Sequence, residues 1–315
     1  MHKIASCLPE ADHYYTPYYC DAALDWFRRK GYLESTIVGN KLSRRCMEYL
    51  AYNNLPIDLH GTGHRYDLVL TCADLIIPQN IRSTPIVLVQ EGMTDPEGFL
   101  YRVVKTFPSL PRWIASTSAM GLSHIYQKFC VASEGYRELF IRKGIDPKKI
   151  EVTGIPNFDN CAQYQKNNFP YKHYVLVCTS DVRETFGFEN RKRTILQASK
   201  IANGRLLIFK LHPNEYHERS IYEIKKHAPE ALIYTSGSAE EMIANCDVLI
   251  TRYSSTAYIG IALGKEVYSN FDLKELQKLL PLQHGQAAKK IANVCRQTLN
   301  LKPVQFETQR MSVAV

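Results

Sequence analysis

At 315 residues, with 45% hydrophobic and 22% charged residues, the chain has an ordinary globular composition and the length for two cores rather than one. The net charge of +8 comes from 39 basic and 31 acidic residues, with no dense basic run beyond Glu189–Arg193 (ENRKR), so a nucleic-acid reader is disfavoured and an anionic substrate or a weak attraction to anionic lipid remains open. Nine scattered cysteines, an odd number with no C-x-x-C, argue against a disulfide framework or a cysteine zinc site.

The apolar stretch in MHKIASCLPEAD is too short for a signal peptide, and no window approaches 18 uninterrupted apolar residues. A reducing cytoplasm is the expected compartment. His2–Leu8 reads as a first strand, Tyr18–Gly31 as a helix, Ser35–Gly39 as a strand and Lys41–Tyr52 as a helix. Asp67–Cys72 and Pro85–Gln90 are the clearest strands of the first half. Glu97–Phe107 reads as a helix and Trp113–Ser116 and Phe129–Ala132 as short strands. Ser133–Gly144 is a helix with its cap serine and stop glycine in place, and Ile150–Thr153 is a strand. Polar residues to Lys172 then form a linker.

The alternation restarts in the second half. Strands are expected at Tyr174–Thr179, Leu206–Leu211, Leu232–Tyr234, Asp247–Thr251 and Lys265–Ser269. Helices are expected at Arg191–Asn203, Glu218–His227, Ala239–Asn245, Ala257–Leu263, Leu273–Leu279 and Ala287–Leu299. Strands alternating with helices of this length predict an α/β protein with parallel sheets and right-handed crossovers. The division expected is 1–156, a linker at 157–171, and 172–315, giving two Rossmann-like domains with parallel sheets that face a central cleft. The last helix is free to pack back on the first domain. Neither G-x-G-x-x-G nor a Walker A sequence is present, which lowers NAD, FAD and P-loop chemistry.

Four segments place polar residues where strands end. In Asp247–Asn270, Arg252 and the hydroxyls of Ser254, Ser255 and Thr256 stand at a helix start, where backbone N–H groups favour a phosphate. The same serines would equally serve as an N-cap. In Leu206–Glu215, Pro213 stops the strand and fixes where His212 points; a histidine there can donate to a phosphate as it leaves. In Val87–Asp95, Glu91 could take a proton from a hydroxyl, with Asp95 in reserve, although either carboxylate could instead cap the next helix. In Thr179–Thr185, Ser180 and Arg183 could contact phosphate or line a solvated loop. The cluster Tyr14–Tyr19, with His13, offers aromatic faces to a sugar or packs as a loop.

The order Glu91-Gly92, His212-Pro213, Ser254-Ser255 resembles bacterial GT-B glycosyltransferases that use CMP-activated sugars. In those families an acidic pair before glycine supplies the base, H-P assists the leaving phosphate, and paired hydroxyls hold it. Gln90 stands here where an acid is usual. K-L-H-P with the later S-S also looks like CDP-glycerol glycerophosphotransferases. V-T-G-I-P-N-F-D at the junction is similar to non-hydrolysing UDP-N-acetylglucosamine 2-epimerases. The resemblance implies an inverting transferase of glycan or cell-envelope polymer synthesis that uses no metal and no cofactor. Its partners would be a nucleotide-activated, cytidine-linked donor and a glycan or lipid-linked acceptor, the latter compatible with peripheral attachment at the inner face of the membrane. A 2-epimerase, or a nucleotide-sugar-binding protein without turnover, are the alternatives.

Overall fold

The computed structural model describes residues 1–34, 36, 38–184 and 188–301. Three helices come first: α1 (His2–Ala5), α2 (Ala22–Arg29) and α3 (Asn40–Tyr52). Then follow β1 (Val69–Thr71), β2 (Ile86–Val89), α4 (Phe99–Thr106), β3 (Lys128–Val131), α5 (Glu134–Lys143) and β4 (Ile150–Val152). The rest alternates: β5 (Val175–Cys178), α6 (Arg191–Ala202), β6 (Leu207–Lys210), α7 (His217–His227), β7 (Leu232–Tyr234), α8 (Ala239–Asn245), β8 (Val248–Ile250), α9 (Thr256–Ala262) and β9 (Glu266–Tyr268). α10 (Leu273–Lys278) and α11 (Ala287–Thr298) close the described chain.

Two parallel sheets result. The first has the order β1-β2-β3-β4, and the second β7-β6-β5-β8-β9. Unbroken apolar runs make the central strands because both faces are covered. In β2, Ile86 and Leu88 enter a core with Phe129, Tyr136 and Phe140, while Val87 and Val89 meet Ile291 and Val294 of α11. In β5, Leu176 and Cys178 share the first of these cores, and Val175 and Val177 pack on Ile195 and Ala198 of α6. One core therefore runs from Leu88 through Tyr258 to Leu249 and joins the two sheets. The buried Tyr136 and Tyr258 hydroxyls hydrogen-bond across that junction at 2.7 Å.

The chain passes between the sheets twice. After β4 it runs through a 3-10 segment at Cys161–Gln165 to β5. After α10 it returns along the ends of β3 and β4, where the Leu282 N–H donates to the Ala132 carbonyl at 3.0 Å and the Gly285 N–H to the Asp159 carbonyl at 2.7 Å. α11 then packs on α1, β2 and β3, and Arg296 pairs with Glu10 at 2.6 Å.

Most expected elements form, with ends shifted by a residue or two. α5 keeps its anticipated limits: the Ser133 hydroxyl accepts the Tyr136 N–H, and Gly144 closes the helix at φ 102°. Two expected strands do not form. His2–Leu8 is a short helix and turn, because Ile4 and Leu8 share the α11 core at one-turn spacing. Trp113–Ser116 lies in a 3-10 segment, Arg112–Ala119, entered from Pro111, with Ala115 and Ala119 buried together. The helix expected from Tyr18 begins at Ala22, since the Tyr18 hydroxyl is drawn to the Ala73 and Ile76 carbonyls. The strand expected at Ser35–Gly39 includes positions outside the described residues. No helix among the described residues is long and apolar enough to cross a membrane.

Candidate functional site

In the second sheet the order reverses between β5 and β8, since the chain runs outward to β6 and β7 on one side and to β8 and β9 on the other. Open parallel sheets bind ligands beyond the carboxyl ends of the strands at such a switch point. The residues there are Thr179–Asp181 after β5 and Thr251–Thr256 after β8. His212 follows the neighbouring β6.

The β6 end is tied to the β5 end. The His212 N–H donates to Thr179 Oγ1 at 3.0 Å, and that hydroxyl donates to Glu215 Oε2 at 2.5 Å. Asp181 Oδ2 lies 3.5 Å from His212 Nδ1 and accepts from Asn214 Nδ2 at 3.2 Å. The Asn214 N–H also donates to His212 Nδ1 at 3.3 Å. In the neutral imidazole that bond leaves the proton on Nε2, which is then the donor toward a ligand.

At the β8 end, Ser254 Oγ accepts from the Thr256 N–H at 3.3 Å and from Thr256 Oγ1 at 3.0 Å. Ser254 thus closes the turn, as its cap role anticipates. Ser255 stands at the helix boundary with helical φ and ψ, and its hydroxyl makes no capping bond. Arg252 points to Glu189, 3.7 Å away.

Arg183 is engaged elsewhere. Its guanidinium meets Glu223 at 2.9 Å, Ser220 at 3.1 Å and Glu215 at 3.5 Å. Glu215 is buried and also holds Arg191, which pairs with Glu189. Ser180 is half-buried on the same edge. Thr185, the last residue of that segment, lies outside the described residues. Removing Glu215 strips a counter-charge from two arginines inside the protein. Glu215→Ala is expected to cost about 3 kcal/mol or more, read as the urea-unfolding free energy. A loss below about 1 kcal/mol would show that Glu189 and Glu223 suffice.

In the first sheet, Glu91 follows β2. The protein around it pushes its carboxyl above the ordinary carboxylate value, against the pull of the Met1 amino group. Glu91 is also exposed to solvent. The preceding Gln90 is buried: its amide donates to the Gly92 carbonyl at 2.7 Å and accepts the Ala132 N–H at 2.9 Å. It pins the strand end and aims its neighbour. Asn157 Nδ2 reaches the Glu91 carbonyl at 3.4 Å. Asp95 turns instead to Thr117, whose hydroxyl donates to Oδ2 at 2.8 Å and accepts the Asp95 N–H at 2.9 Å.

Helix α3 touches both the β6 end and α1. Tyr49 contacts His2 at 3.0 Å, beside Met1, and one turn earlier Arg45 donates to Asn214 Oδ1 at 3.3 Å. The Tyr14–Tyr19 loop packs on the segment 57–66, with Tyr19 stacked on His60 and the Tyr14 ring tilted against His64.

Two parallel α/β sheets with this topology, strand ends lined with polar groups, and a last helix returned to the first sheet define the GT-B fold. Solved structures agree. A putative UDP-N-acetylglucosamine 2-epimerase from Listeria monocytogenes is 14% identical, with a TM-score of 0.54 over 83% of this chain and 78% of that one. S. aureus MnaA, solved with UDP, is 13% identical, with a TM-score of 0.53 over 84% of this chain and 80% of its own. The wall teichoic acid polymerase TagF is 12% identical, with a TM-score of 0.46 over 74% of this chain and 73% of that one. No family model matches the chain, and no curated protein matches it.

Proposed function

We propose that this chain is a GT-B enzyme that moves a sugar, or a glycerophosphate, from a nucleotide-activated and cytidine-linked donor to an acceptor hydroxyl in glycan or cell-envelope polymer synthesis. Residues 1–156 form the acceptor side and 172–315 the donor side, joined by 157–171. The carrying observation is the switch point, where Ser180, His212 and the Ser254–Thr256 turn end three neighbouring strands. The donor phosphate lies against Ser254, Ser255 and Thr256. Glu91 takes the acceptor proton, and the acceptor oxygen attacks the donor in line with inversion. The donor-to-phosphate bond breaks as His212 Nε2–H donates to the departing oxygen. Pro213 fixes the strand stop and Arg252 adds positive charge nearby. Arg183 acts through the Glu215 network, and Asp95 supports the 3-10 segment beside α4.

A second reading, a UDP-amino-sugar 2-epimerase, is favoured by the superposition on such enzymes over more than four-fifths of the chain. Thermal unfolding with matched CMP, CDP, UDP, GDP and ADP separates the two. A ligand at a hundred times its dissociation constant adds about 2.7 kcal/mol to a state that alone binds it. Selective stabilisation by CMP or CDP is the expected result. Selectivity for UDP moves the assignment to the epimerase, and binding without turnover of any sugar donor moves it to a nucleotide-sugar-binding protein.

A further inference from the structure

Helix α4 is apolar over a broad arc, and among the described residues only part of that arc is buried. At about 100° per residue, Tyr101 and Val104 point one way and are buried with Ala115 and Ala119. Phe99, Leu100 and the half-buried Val103 fall in the adjoining arc, which Phe107, one step past the helix end, extends. Phe99 is 77% exposed and Phe107 58%. Leu110, Trp113 and Ile114, in the segment packed beside α4, are exposed as well. A solvated helix face would be polar here, and an apolar patch of this kind marks an interaction surface.

The surrounding charge selects the occupant. From Pro96 to Ile114 the chain holds Arg102, Lys105 and Arg112 against Glu97 alone; Arg102 and Lys105 are exposed, while the half-buried Arg112 donates from Nε to the Asp74 carbonyl at 3.3 Å. Beyond the helix, Asp95 and Lys143 flank the 3-10 segment, and Asp95 is held by Thr117. A symmetric pairing of two copies through this face would bring the cations of one copy against those of the other, which is unfavourable. A surface of acidic headgroups over hydrocarbon satisfies both the cations and the aromatic and aliphatic side chains, and phenylalanine, leucine and tryptophan beside arginine and lysine are the residues that lie in such an interface. We propose that the α4 face, with Phe99, Leu100, Phe107 and Trp113 as the inserting groups, docks this protein on an anionic lipid surface. The inference stands on exposure and charge and holds whichever reaction the strand ends carry out.

The test is flotation of the full chain with phosphatidylcholine vesicles, with and without about 30% phosphatidylglycerol, at low and at physiological salt. Binding to the anionic vesicles, weakened by salt, is the expected result. Phe99→Ser/Phe107→Ser and, separately, Arg102→Glu/Lys105→Glu should each weaken partitioning by roughly tenfold or more. The changed side chains are exposed, so unaltered circular dichroism and melting temperature should accompany the loss. Lys192→Glu/Lys200→Glu, on the distant α6, should bind almost as well as the unaltered chain. Absence of binding to anionic vesicles at low salt overturns the proposal, as does an equal loss in the α6 variant. It is overturned too if the chain dimerises in the absence of vesicles and Phe99→Ser/Phe107→Ser makes it monomeric.

Discussion

Glu91→Gln is expected to lower the transfer rate by roughly 10²–10⁴, the usual contribution of a positioned general base, while nucleotide binding stays nearly intact. The two quantities separate because Glu91 ends β2 of the first sheet, whereas the donor groups end strands of the second. The rate should rise with pH through the Glu91 titration, and that limb should lie above the ordinary carboxylate range, because the surrounding protein disfavours the charged form. The stability effect has the opposite sign. A carboxyl raised on folding contributes its stability below the unfolded value, about 4.3, and loses it as pH rises through the folded value. The glutamine variant should therefore be at least as stable as the parent at pH 7, with the difference vanishing below about pH 4. Steady-state rates and urea titrations at matched pH provide the check. Full activity in a folded Glu91→Gln variant removes the base from this position, and if Asp95→Asn is the inactive one the base moves there, against the hold of Thr117 on that carboxylate.

The second large effect is expected at His212. Loss of one preorganised donor aimed at developing charge costs about 10²–10³ in turnover, so His212→Ala should fall in that range with its fold unchanged. The imidazole is half-exposed, and its anchor to Thr179 is a backbone bond that alanine keeps. Turnover unchanged in His212→Ala would end the phosphate role. An affinity change alone would mark a binding protein.

The sheets were legible in the sequence because buried parallel strands are written as unbroken apolar runs, such as Ile86–Val89 and Val175–Cys178. Caps were legible where a hydroxyl or carboxylate precedes a helical pattern, as at Ser133. The apolar letters of His2–Leu8 misled, because a short run does not disclose its period until α11, nearly 290 residues away, shows which side chains it meets. The strand ends at Glu91, His212 and Ser254 could be located, since each closes a recognisable run. Their partners could not. Thr179, Glu215 and Asp181 gain their roles from a strand order that puts β6 beside β5, and spacing along the chain carries no record of that order. Arg183 illustrates the same limit: a lone arginine after a strand resembles a phosphate contact, and only folding brings Glu215 and Glu223 to it.

Two passages of the chain tie the sheets to one another. A body held by one connection can swing in any direction, but one held by two can turn only about the line through both. The connecting segment 153–174 and the return at 279–286 supply those two points, and the Tyr136–Tyr258 bond lies in the core between the sheets. Separating those phenols would expose a packed core. Releasing Arg45 from Asn214 only trades an exposed hydrogen bond for water. The contact beside α3 is therefore the weaker of the two, and it rests next to His212.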